Sequence, residues 1–153
     1  MNTTSSKTSQ RPIKLDAIHP PPLRIGEVSV TEQDLERLVA SFALDLEDEP
    51  DGRLVFRESR REAVSCFACA EEAQQKLGMG KVLGYFGEDN PTARLGSKEG
   101  GHDFLLIGGR FIVDIWAKDT VNYTDRYVLD LAAPAQRNEI DELYGPMWHW
   151  DVG

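Results

Sequence analysis

The apolar positions of this chain fall into short runs, most with a readable period. After Thr31, the residues Leu35, Leu38, Val39, Phe42 and Leu46 recur at helical spacing, and the pattern predicts a helix near 32–46. Thr31-Glu32-Gln33-Asp34 approximates a capping box at its start, with Asp in the place of the usual Glu. Ala63, Cys66, Phe67, Ala70, Ala73 and Leu77 fall on one face of a second helix near 60–77, and Gly78 is a good terminator. Two starts fit this helix, because Ser59-Arg60-Arg61-Glu62 is a capping box and Ser65 is also a suitable cap. Pro134 suits the first turn of a last helix near 135–144 that stops at Gly145-Pro146. Between the helices, residues 82–86 and 126–131 have strand character, while Leu54-Val55-Phe56 is too short to assign.

The strongest strand signal lies at 102–116, where two β-rich runs flank Gly108-Gly109. If Ile107, Gly108 and Gly109 form a three-residue loop, Leu106 pairs with Arg110, Phe104 with Ile112 and His102 with Asp114. If Gly108-Gly109 alone is the turn, Asp103 opposes Asp114, and two facing carboxylates are unfavourable. The longer loop is therefore expected, with Gly109 in the left-handed conformation. These elements together predict an α+β fold, a helix packed on a small antiparallel sheet built on 102–116.

Composition sets the frame around this pattern. A chain of 153 residues suggests one domain. Residues 1–22 are rich in Ser, Thr and Lys and end in His19-Pro20-Pro21-Pro22, which predicts a disordered arm before a single domain over 23–153. No run of 18 apolar residues predicts a membrane span, and MNTTSSKTSQRPIK lacks the apolar centre of a signal peptide. The formal charge is -9, and it is uneven: residues 1–24 carry Lys7, Arg11, Lys14 and Arg24 against Asp16 alone. A body that acidic argues against binding a phosphate backbone. The expected partner is a protein or peptide, with no nucleic acid and no membrane. Two cysteines three apart cannot form a disulfide framework, so a reducing cytoplasm is expected where the protein is made, and delivery elsewhere by a non-Sec route is not excluded.

Cys66, His102 and Asp114 are, in that order, the parts of a thiol nucleophile, its base and the base's orienter. A thiol attacks a carbonyl only as thiolate, so His102 would take its proton, and Asp114 on the other ring nitrogen would fix the tautomer and stabilise imidazolium. Asp103, Asp119 and Asp125 are alternative partners for His102. A start at Ser65 would place Cys66 at the positive end of the helix dipole, with its main-chain amide as half of an oxyanion hole; a start at Ser59 would not. No second donor is identifiable. Cys69, a turn further in beside Ala70 and Ala73, is expected to be a small buried structural thiol. The polar loop from Glu88 to Gly101 leads into His102 and could form one lip of a cleft.

Ser65-Cys66-Phe67-Ala68-Cys69-Ala70 on a helix, followed by GGHDFLLIGGRFIVDIW, resembles the transglutaminase-like branch of the papain-like superfamily, which includes cysteine proteases, glutamine deamidases and papain-like toxin domains. The likeness spans roughly residues 60–118. It implies a papain-like, transglutaminase-like α+β fold and a Cys66–His102–Asp114 triad for thiol-dependent acyl transfer on a carboxamide, needing no cofactor and no metal. Two other chemistries use the same cysteines. Cys66-Phe67-Ala68-Cys69 is a CxxC of the kind seen in redox proteins, though it lacks an apolar strand directly before it. Zinc could take Cys66, Cys69, His102 and His149, of which only the CxxC pair has ligand-like spacing. A non-enzymatic alternative is a cytoplasmic binding or immunity-type module with no working site. Trp148, His149 and Trp150 would then form a recognition patch, against the favoured expectation that the tryptophans pack the end of the chain onto the core.

Overall fold

The computed structural model describes residues 20–152, so most of the expected N-terminal arm lies outside the described residues. The centre of the fold is an antiparallel sheet of five strands: β5 (Lys81–Phe86), β6 (Gly101–Ile107), β7 (Phe111–Val113), β8 (Val128–Asp130) and β9 (Asp151–Val152), in the order β8-β7-β6-β5-β9. Two small hairpins precede it, β1 (Leu23–Ile25) with β2 (Val28–Val30), and β3 (Leu46–Asp48) with β4 (Leu54–Phe56). The α-helices among the described residues are α1 (Glu32–Ala43), α2 (Cys66–Leu77) and α3 (Arg137–Tyr144). The chain is thus α+β, and no helix among the described residues is long and apolar enough to cross a membrane.

Alternation along the strands sends side chains to two faces, and each face is covered. Leu105, Ile107, Phe111, Val113 and Val128 pack against α1 and α2 through Leu35, Val39, Ala70 and Ala73. Phe104, Ile112 and Leu129 pack on the other face against α3 and the chain's end, through Ile140, Leu143, Tyr144 and Trp150.

The capping box of α1 forms with aspartate in it: the Thr31 hydroxyl accepts from the Asp34 N–H, and the Asp34 carboxylate accepts from the Thr31 N–H. The helix ends at Ala43, short of the expected 46. Leu46 keeps its place against the core but does so as the first residue of β3, opposite Phe56. Arginines border this acidic stretch: Arg57 reaches Asp45 just before β3, and Arg60 reaches Glu47 within it. Leu54-Val55-Phe56 becomes a strand by pairing with that segment.

The structure decides where α2 begins. Ser65 is its cap, with the hydroxyl accepting from the Ala68 N–H at 3.1 Å. The expected range 60–77 is too long. Arg60 has φ of 65°, which no helix can pass through, and the Ser59 hydroxyl donates to the buried Glu72 instead of capping. The Arg61 guanidinium donates to the same carboxylate, so this supposed first turn lies back over the finished helix. Gly78, with φ of 70°, closes the other end as expected. Pro134 opens a 3-10 turn, Pro134–Gln136, and α3 proper follows it.

Candidate functional site

β6 is where the site is built. Gly101 opens the strand so close to the Tyr85 carbonyl that a Cβ would lie 2.6 Å from its oxygen. His102 follows with its side chain on the α3 face. The loop before β7 differs from expectation. Gly108, Gly109 and Arg110 form it, both glycines have positive φ, and the Arg110 N–H donates to the Ile107 carbonyl. Ile107 therefore pairs with Phe111 and Leu106 with Ile112, so the expected pairs Leu106–Arg110, Phe104–Ile112 and His102–Asp114 are corrected by two positions. A shift of two preserves the faces. His102 and Asp114 still share one face, as diagonal neighbours.

Their side chains meet: His102 Nε2–H donates to Asp114 Oδ2 at 2.6 Å. Both are buried, at 2% and 4% exposure. Burying such a pair is costly unless its remaining lone pairs are satisfied, and those of Asp114 are. Tyr144, the last residue of α3, donates its hydroxyl to Asp114 Oδ2 at 2.7 Å, and the Ala117 N–H donates to Asp114 Oδ1 at 3.0 Å. The Asp114 N–H is held by the Tyr127 carbonyl beyond the end of β7. Rings of Tyr85, Phe104 and Tyr144 surround the imidazole. Burial acts to deprotonate His102, but the Asp114 charge and hydrogen bond oppose it, with help from the Cys66 thiol, and together they raise the histidine pKa above its ordinary 6.5. Burial lifts the Tyr144 hydroxyl far above its ordinary range, and the Asp114 charge adds to this, so it stays a donor. Asp119 and Asp125 do not serve the imidazole: Asp119 accepts from the Tyr127 hydroxyl, and Asp125 lies beside Arg126.

Cys66 is the first residue of α2, half-buried, and comes from the opposite side of the sheet. Its sulfur accepts from the Asp103 N–H at 3.3 Å, and its S–H lies 3.8 Å from the Asp103 carboxylate. Asp103 stands directly across from Gly84 on β5, where any Cβ would collide with its carboxylate. Burial raises the Asp103 pKa, and the neighbouring His102 charge works against this. The thiol thus makes its direct hydrogen bonds to Asp103, while it also acts on the proton of His102. Both line the end of the sheet where β6 begins. Cys69 is buried on the inner face of α2, and desolvation pushes its thiol up to about 12.

Cys66, His102 and Asp103 open into one cleft of about 720 Å³. The segment after β5 contributes Asp89, Glu99 and Gly100, and the end of the chain contributes His149, Asp151 and Val152. The Glu88–Gly101 loop is therefore a lip of the cleft, as expected. Trp150 packs edge-on against Phe104 and donates its indole N–H to the Tyr144 carbonyl, whereas Trp148 is 82% exposed, so only one tryptophan pins the chain's end to the core. Among the described residues, no three His, Cys, Asp or Glu side chains are grouped as metal ligands, and both cysteines are free thiols.

Sequence reasoning missed Tyr144, the partnership of Asp103 with Cys66, and β9. A glycine inside a strand signals close approach of another group, so Gly84 was a readable hint of Asp103. Nothing local in the sequence marks Tyr144. Comparison with family models, with curated proteins and with solved structures finds no match.

Proposed function

We propose that the cleft carries out thiol-dependent acyl transfer on a carboxamide of a peptide or protein, with Cys66 as nucleophile, His102 as base and acid, and Asp114 as orienter. The observation that carries this reading is the buried His102–Asp114 hydrogen bond of 2.6 Å, opening into the same cleft as a cysteine at a helix N-terminus. With Nε2 committed to Asp114, Nδ1 is the ring nitrogen left for the thiol. The raised histidine pKa keeps the thiol's proton on His102 as imidazolium, the charge that Asp114 stabilises. The thiolate attacks the carbonyl carbon, and the Cys66 main-chain N–H, which has no acceptor a turn earlier, is placed to receive the developing oxyanion. The tetrahedral species collapses to a thioester as imidazolium gives its proton to the departing amine or ammonia. A water deprotonated by His102 then cleaves the thioester to a carboxylate and the free thiol. The chain order of helix-borne Cys, strand-borne His and a following Asp on an α+β fold supports placing the protein with the papain-like, transglutaminase-like hydrolases.

Iodoacetamide labelling at neutral pH, with mass spectrometry to locate the adduct, tests this. Cys66 should be alkylated selectively in the native protein, and His102→Ala should remove most of that reactivity. Equal sluggishness of Cys66 and Cys69 would overturn the mechanism and leave a binding module with two inert thiols.

A further inference from the structure

Asp103 poses a chemical problem for the nucleophile proposed above. Its carboxylate lies 3.8 Å from the Cys66 sulfur, and an anion at that distance works against forming a thiolate. Among the described residues, the carboxylate accepts no hydrogen bond except the weak one from that thiol, and no lysine or arginine pairs with it. No lysine or arginine among the described residues lines the cleft either, while Asp89, Glu99 and Asp151 do. None of these three is ion-paired among the described residues. The sheet leaves room for the Asp103 side chain, since β5 carries none at Gly84. The wall beside it is apolar and open, with Val64, Phe86 and Val152 all more than half exposed. His102 is the one cationic group of the described residues that acts on Asp103, and it is committed to Asp114, so a second cation beside the carboxylate would come from a bound ligand, next to the reacting sulfur.

We propose that Asp103 is a specificity-determining residue of this site, and that it selects a peptide carboxamide flanked by a cationic side chain, a lysine or arginine. The bound cation sits against Asp103, draws the carboxylate's charge away from Cys66, and leaves the thiol to His102. The basic side chain is thus a recognition element and a condition for activating the nucleophile. This deepens the reading of Cys66 as nucleophile and rests on it.

The test uses the full chain and thiol reagents that differ in charge. Rates at Cys66 are measured at low ionic strength with a cationic trimethylammonioethyl methanethiosulfonate and an anionic sulfonatoethyl methanethiosulfonate, each normalised to a small free thiol, and with neutral iodoacetamide as the reference. The cationic reagent should react about tenfold faster than the anionic one, and added salt should shrink the ratio. Asp103→Asn should cut the ratio severalfold and raise the iodoacetamide rate. In the wild-type protein, methylguanidinium, a small cation that leaves the sulfur uncovered, should raise the iodoacetamide rate at Cys66 where acetate at the same ionic strength does not, which keeps the test decisive even if the variant misfolds. A normalised ratio near one, a ratio unmoved by Asp103→Asn, or equal iodoacetamide rates with the two added ions would overturn the proposal. A Cys66 that reacts with iodoacetamide but shows no charge preference refutes the role of Asp103 alone; one that does not react at all refutes the nucleophile.

Discussion

Asp114 ties together groups from distant parts of the chain: it accepts from His102, from the Tyr144 hydroxyl and from the Ala117 N–H. The consequence for pH follows from the raised histidine pKa. A group that holds its proton more tightly in the folded state stabilises that state fully below its unfolded value, about 6.5, and the contribution is lost as pH climbs through the raised value. Asp114→Asn removes the carboxylate that retains the proton. The stability advantage of wild type over Asp114→Asn should be largest near pH 6 and fade toward pH 10, as read by denaturant titration across that range. An advantage that grows with pH would mean His102 is neutral when folded. The pairing of His102 with Asp114 was legible in sequence, from residue type and the alternation of the hairpin. Tyr144 was not, because it meets Asp114 only after α3 has packed on the sheet, thirty positions away in the chain.

At the scale of elements, the hairpin shows what a repeating pattern can and cannot specify. The alternation of apolar and polar residues fixed which face His102 and Asp114 occupy. It did not fix the register, since a displacement by two positions satisfies it equally. The turn chose between them when both glycines took positive φ. The start of α2 was ambiguous for a related reason: Ser59 and Ser65 are equally good local caps. The choice fell to Glu72, which is buried on α2 and needs both Ser59 and Arg61 as donors. β9 had no local signal, being two residues long and held by pairing with Leu83 and Gly84. The packing of β5 on β6 yields a prediction. Gly84→Ala would drive a methyl into the Asp103 carboxylate and against the His102 carbonyl. It should cost about 1–3 kcal/mol by thermal or denaturant melting, as overpacked sites do, and it should alter iodoacetamide reactivity at Cys66 by displacing Asp103. A variant as stable as wild type with unchanged labelling would show that β5 and β6 have slack at this point.

For the whole molecule, the sheet has a layer on each side, and the candidate site straddles its end. The class of fold followed from sequence, because the helical and strand periods were strong in the segments that build the core. The layering did not, since it depends on pairings between strands far apart in the chain. His102 and Asp114 lie within the layer closed by α3, among Phe104, Tyr144 and Trp150. Cys66 hangs from the first turn of α2, at the end of a connection, residues 57–65, that carries no helix. Helix ends open at free energies well below that of global unfolding, whereas core strands open only with the whole molecule. The amides of Phe104 and Leu105 should therefore exchange with deuterium only at the rate of global unfolding, while those of Cys66 and Phe67 exchange orders of magnitude faster. Uniform protection across both groups would contradict this. Fraying of one helical turn would carry the sulfur away from an imidazole that stays in place. Heat should then silence the thiol several degrees before the protein melts, and cooling should restore it at once, with no refolding phase.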